Sequence, residues 1–330
     1  MMMSEPFPQP LLKPGWGLAV LASCAVGVLG LLTPFDFEAS RWLWEHANPE
    51  FGEWTRRTLF EGDAPGLSDP GICFLLTSLG LYLWSARRSA PEWLQRERPY
   101  LSFIILSALA GALGLVHGLK WVIGRARPHE VWLSDWPFTP WHSFGPHFVT
   151  EGVYFGSFPS GHTASVVTLI MLAYVLHSHP GLHRRRMWTW LWGAVGVTMA
   201  VTMAVGRVMT ASHWLTDCLG MILPIWTVLH WMFHRFLRTS EQREYVRMHG
   251  SYPSVSAYWE LRLAGWGFLI LLGLMGLVIG LRSVWLEAGF ELLVLTPLGI
   301  ALIGFAWPRF RRLHEAVLSA FFVVQTNDPA

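Results

Sequence analysis

The chain is poor in charge and in thiols. Only 14% of its 330 residues are Asp, Glu, Lys or Arg, and it holds three cysteines. So little charge excludes an ordinary water-soluble surface for a chain of this length, and a 52% hydrophobic content points the same way. Cys24, Cys73 and Cys218 fall inside apolar runs with no paired spacing and no ligand cluster, which excludes a disulfide framework and a structural zinc site. Low-complexity segments, an internal repeat and an Asn-x-Ser/Thr sequon are also lacking. Lysine is scarcest: two stand against 22 arginines, so a lysine inside an apolar run breaks a compositional habit. The net charge is only +2, and no nucleic-acid partner is expected.

What the chain does have is apolar runs near the roughly 20 residues of a transmembrane helix. Eight occur, at about 15–34, 71–86, 101–119, 163–178, 188–206, 214–233, 264–281 and 290–306. The first has neither a clear basic flank before it nor a small-residue cleavage site after it, so it reads as a retained span. With eight spans, Arg87, Arg88, Arg96, Arg98, Arg184 to Arg186, Arg235 to Arg262 and Arg309 to Arg312 fall on one side, which the positive-inside rule makes cytoplasmic. Between the first two spans, RWLWEHANPEFGEWTRR mixes Trp with charge and is expected along the interface. Gly276 and Gly280 stand at GxxxG spacing, which makes a homodimer through the C-terminal helices an expectation to test.

On the basic-poor side, charged groups appear at the ends of successive spans. The third ends in GLKWVIGRARP, with Lys120 and Arg127 about two helical turns apart and on a similar face if the helix continues to Pro128. The fourth opens with Pro159, Ser160, Gly161 and His162, and the fifth ends at Arg207. His213 and Asp217 follow at i and i+4. Singly, each has an ordinary reading: a snorkelling cation, a capping turn, a helical pair. The ordinary readings do not predict all of them in one chain, in this order, on one membrane face. Ionisable groups at membrane depth are expensive, and their convergence marks a functional site.

Lys120 with six residues before Arg127-Pro128, then Pro159-Ser160-Gly161-His162, then Arg207 with five residues before His213 and three more before Asp217, resembles the type 2 phosphatidic acid phosphatase family. The resemblance covers about residues 70 to 233. It implies an all-α polytopic transmembrane bundle, with a six-helix phosphatase core and about two extra C-terminal helices. The expected organisation is a membrane domain over 1–233, a cytoplasmic connector over 234–263, and two further helices with a tail over 264–330. By the same resemblance His213 attacks phosphorus, Asp217 fixes its tautomer, and His162 protonates the leaving oxygen. Lys120, Arg127, Ser160, Gly161 and Arg207 would hold the phosphate. One departure stands out: the family usually has Ser before the third-motif Arg, and here that place is Gly206.

The chemistry matches these residue types. A transferring phosphoryl group spreads charge over its oxygens, so catalysis is mainly positioning and electrostatic stabilisation. Arginine forks contact phosphate oxygens two at a time, and backbone N–H groups at a helix N-terminus accept an anion. No metal or cofactor is required. The aromatic segment HEVWLSDWPFTPWHSFGPHFVTEGVYF is expected as an interfacial lid or rim; its His129, His142 and His147, with Glu130 and Asp135, are too irregularly spaced to read as metal ligands. His117 reads as a packed core histidine. The expected function is a membrane lipid phosphatase of the bacterial inner membrane, its site facing the periplasm and its substrate a prenyl diphosphate or lipid A phosphate. Phosphatidate-type substrates, phosphotransfer to another lipid, and a non-catalytic lipid transporter or structural membrane protein are the alternatives.

Overall fold

A backbone in hydrocarbon must satisfy its own hydrogen bonds, so apolar runs of this length are expected as helices. The computed structural model describes residues 14–57, 70–87, 89–148, 156–179, 186–250, 252–253, 258–285 and 290–322. Among the described residues no strand occurs. Helix α1 (Pro14–Leu32) passes through one 3-10 turn into α2 (Asp36–Glu45), and α3 (Pro49–Arg56) follows. Asn48 sets the start of α3: its Oδ1 accepts from the N–H groups of Glu50 and Phe51 at 2.9 and 3.3 Å, with Pro49 where a missing N–H loses nothing.

Next come α4 (Pro70–Ser85) and α5 (Glu92–Ser107), the latter running through a π-helical stretch into α6 (Val116–Ile123). The short α7 (Pro128–Leu133) precedes α8 (Gly161–Val167), which continues through a 3-10 turn into α9 (Met171–Ser178). Then follow α10 (Arg186–Met209), α11 (Leu215–Trp231), α12 (Thr239–His249), α13 (Trp259–Trp285) and α14 (Leu295–Phe322). Among the described residues seven helical stretches are long and apolar enough to cross a bilayer, and Cys73–Ser85 is a shorter apolar helix, so each of the eight predicted runs falls on helix. The connector after α11 is not merely polar loop, since α12 packs on α5.

The α5–α6 stretch is central, with 75% of its most apolar window buried, whereas the corresponding window ending in α14 is 11% buried. Phe103, Val167, Ile170, Met171, Met203 and Ile225 form the core between α5 and α8–α11. At the other end, Glu260 of α13 accepts from Tyr82 Oη at 2.7 Å, Ser102 Oγ at 2.7 Å and both Nε and Nη2 of Arg98, at 3.2 and 2.9 Å. This buried knot ties α4, α5 and α13.

The glycine face on α13 packs against α14 of the same chain. A Cβ on Gly273 would lie 2.7 Å from Ile303 Cγ1, and one on Gly280 would lie 2.4 Å from Thr296 Oγ1. Gly276 likewise faces Leu295 and Gly299. The small residues are therefore taken up by close approach of α14 within the chain.

Candidate functional site

The first motif does not stay helical to its proline. Gly124 adopts φ 60° and caps α6, its N–H donating to Lys120 O at 3.1 Å. Arg125 and Arg127 thus lie in the turn beyond α6, and Pro128 opens α7 instead of closing a helix. Lys120 sits in the last turn of α6, buried, with Nζ donating to Gly156 O at 2.7 Å. Arg127 is half-buried; its backbone N–H donates to Glu130 Oε2 at 2.6 Å. Arg127 and Arg207 are both within electrostatic reach of Lys120.

Second-motif residues divide by exposure. Ser160 is fully buried and caps α8, accepting from Thr163 N at 3.4 Å and Thr163 Oγ1 at 3.1 Å, while its own N–H donates to Asp217 O at 2.9 Å. Gly161 and His162, by contrast, are partly exposed. The hydroxyl expected in a phosphate cradle is therefore engaged as a cap, and the helix mouth is presented through Gly161 and His162.

In the third motif Arg207 occupies the last turn of α10 and is buried. Gly206 beside it has a steric reason. A Cβ there would lie 2.1 Å from Thr55 Oγ1, so α3 packs where a serine side chain would have stood. Thr55 is itself fully buried and donates to Gly52 O at 2.8 Å.

His213 precedes α11 and is 2% exposed. Its Nδ1 lies 2.7 Å from Ser157 O. A carbonyl oxygen can only accept, so Nδ1 carries the proton and Nε2 keeps its lone pair. Asp217 Oδ2 lies 3.8 Å from the same Nδ1, within ion-pair range and beyond a hydrogen bond. The expectation that Asp217 fixes the tautomer is thus corrected: Ser157 does so. Burial holds His213 well below the usual histidine range, reinforced by Lys120, Arg207, Arg127 and His162 nearby.

Asp217 has other partners. Oδ2 accepts from Trp214 N at 2.8 Å, capping α11, and Oδ1 accepts from Arg125 Nη1 at 2.6 Å. Arg125 is completely buried; its Nη2 donates to Asp36 Oδ2 at 2.6 Å and its Nε to Thr139 O at 2.7 Å. Asp36 in turn accepts from Thr216 N at 2.8 Å and Thr216 Oγ1 at 2.6 Å. Sequence reading missed Arg125, Asp36 and Ser157. Arg125 lies inside the quoted GRARP, where a third cation in one turn was a usable signal. Ser157 acts through its backbone and gives none.

The aromatic segment folds over this network. Phe138 and Trp132 pack on Trp214 with ring centroids at 4.8 and 5.4 Å, and Phe37 of α2 stacks on Trp214 at 5.8 Å. His147 Nε2 lies 2.8 Å from Glu130 Oε2, and His129 Nδ1 lies 3.0 Å from Ala211 O. Residues 149–155 of this segment lie outside the described residues. Among the described residues, no three of His, Cys, Asp and Glu are grouped as metal ligands would be.

Residues 101–241 match the sequence profile of the PAP2 superfamily, a stretch that runs from α5 into α12 and contains all three motifs. No curated protein and no solved structure matches the chain. Members of the superfamily are phosphatases, and the helices around this site are those of an integral membrane protein. Residues 101–241 are thus a PAP2-superfamily region within an integral membrane protein, which supports a phosphoric ester hydrolase in general.

Proposed function

We propose that this chain hydrolyses the phosphate monoester or diphosphate of a membrane lipid at the periplasmic face of a bacterial inner membrane, through a phosphohistidine on His213. The observation that carries the reading is the hydrogen bond from His213 Nδ1 to Ser157 O, which leaves Nε2 unprotonated among Lys120, Arg127, Arg207 and His162. Nε2 attacks phosphorus as the bond to the lipid oxygen breaks, and His162 delivers a proton to that oxygen. Water then attacks the phosphohistidine, His162 takes its proton, and the P–N bond breaks. Asp217 stabilises the charge that forms on the ring at 3.8 Å while fixing the start of α11.

The three cations stabilise the equatorial oxygens of the transferring group. Favoured substrates are a prenyl diphosphate or a lipid A phosphate, whose apolar chains suit the aromatic cover over the site. The lipid phosphate and the surrounding membrane lipids are the partners of this reading.

The test is release of inorganic phosphate from a panel of lipid phosphates in detergent with a chelator present. Wild-type protein is expected to be active and His213→Ala inactive by about 10⁴-fold or more. Activity abolished by the chelator, or surviving His213→Ala, overturns the mechanism.

A further inference from the structure

The family match ends at residue 241, yet one side chain of α13 reaches the first motif. Arg282 is buried in the last turn of α13. Its Nη1 donates to Val122 O at 2.9 Å and Ile123 O at 3.4 Å, the final carbonyls of α6. Its Nη2 donates to Gly145 O and, at 3.2 Å, to His147 O. The guanidinium also lies 4.9 and 5.1 Å from the ring centres of Phe144 and Phe148. A cation at a helix C-terminus is favourable both as a donor to orphan carbonyls and against the helix dipole.

The two backbones joined this way are in close contact already. Gly145 N donates to Ile123 O at 2.7 Å and His147 N to Gly124 O at 3.0 Å. A Cβ on Gly124 would meet His147 O at 1.9 Å, and one on Gly145 would meet Gly124 O at 2.3 Å, so no residue larger than glycine permits the approach. Lys120 is one helical turn before this junction, in the turn that Arg282 closes.

We propose that Arg282 is a positioning residue: it clamps the end of α6 to segment 144–148 and so fixes where Lys120 meets the phosphate. The C-terminal helix pair is then part of the catalytic unit, attached through a guanidinium that a lipid-facing accessory helix would not need. The assignment rests on Lys120 binding phosphate, as in the function proposed above.

The experiment compares wild type, Arg282→Gln and Arg282→Lys as full-length chains in detergent. Hydrogen exchange at Gly145 and His147 is read by mass spectrometry, and competitive inhibition by inorganic phosphate is read from dephosphorylated lipid product. With Arg282→Gln, exchange at 144–148 is expected to rise while that of α4 stays unchanged. The inhibition constant for phosphate rises about tenfold and kcat/KM falls about 10- to 100-fold, the scale of a misplacement near 1 Å. Arg282→Lys recovers part of each effect.

Unchanged exchange at 144–148 overturns the clamp. So does lost activity with an unchanged phosphate constant, which is the pattern of a general loss of stability. Should Arg282→Gln fail to fold, Arg282→Lys decides by the same two measurements. Wild-type protein that releases no phosphate from any lipid defeats the functional reading alone, because the exchange result still judges the clamp.

Discussion

Two buried arginines sit at opposite ends of the bundle and do different work. Arg98 meets one carboxylate, Glu260, whose remaining capacity is filled by Tyr82 and Ser102. Arg125 meets two, Asp36 and Asp217, both at 2.6 Å. The first knot is balanced in charge and joins helices. The second holds one negative charge in excess, beside Lys120, Arg127 and Arg207. Removing one partner of a buried pair leaves an uncompensated charge and typically costs about 3–5 kcal/mol, so both knots matter for stability. Only the second also offsets neighbouring cations, and its Asp217 lies 3.8 Å from His213, the proposed nucleophile.

The sharpest way to break this contrast is Arg125→Met against Arg98→Met. Each is expected to destabilise by about 3–5 kcal/mol, read by thermal unfolding. Activity per folded molecule should fall about 100-fold or more for Arg125→Met, since the start of α11 moves by the ångström that such losses require, and stay near wild type for Arg98→Met. Equal losses would erase the distinction. A milder probe is Asp36→Asn, which keeps an acceptor for Thr216 N and removes the charge. A hydrogen bond to a charged group contributes about 1.5–3 kcal/mol, so kcat/KM should drop roughly tenfold or more.

Gly206→Ser tests whether the site end tolerates the hydroxyl common in the family. The clash with Thr55 predicts destabilisation of about 1–3 kcal/mol and no gain in activity, with Thr55→Gly rescuing the double variant. A more active single variant would refute the steric account. The smallest effect is in pH. His213 has a lowered proton affinity in the fold, so the unfolded chain binds the proton first as pH falls. Stability contributed by this residue is therefore lost below about pH 6.5, by at most about 1.4 kcal/mol per pH unit. In unfolding scans from pH 7.5 to 5, His213→Gln should show a shallower slope than wild type.

Much of the architecture was legible because apolar runs and helices coincide wherever backbone must bond to itself. The motif residues were legible through type and order. Lys120 and Arg127 share a face only if one helix runs through both, and Gly124 ends it between them; glycine in an apolar run carries no unambiguous stop signal. The partner of His213 was misassigned because Asp217 at i+4 is visible in a sequence and a carbonyl 56 positions away is not. Asp36 was missed for a similar reason: one acid after an apolar run looks like an interfacial charge until the fold brings Arg125 to it. The Gly276 and Gly280 spacing gave close packing correctly in kind, but with α14 as the neighbour.

Helix α2 touches two very different surroundings. Trp42 on it is 57% exposed and stacks on His46, while Asp36 at its start grips Arg125. An element built this way can link the two: a displacement of the exposed ring would be carried along α2 to the carboxylate. Turnover in vesicles is accordingly expected to change with acyl-chain length even for a short-chain substrate, and Trp42→Ala should flatten that dependence. That outcome would make the bilayer a working part of the molecule as well as its container.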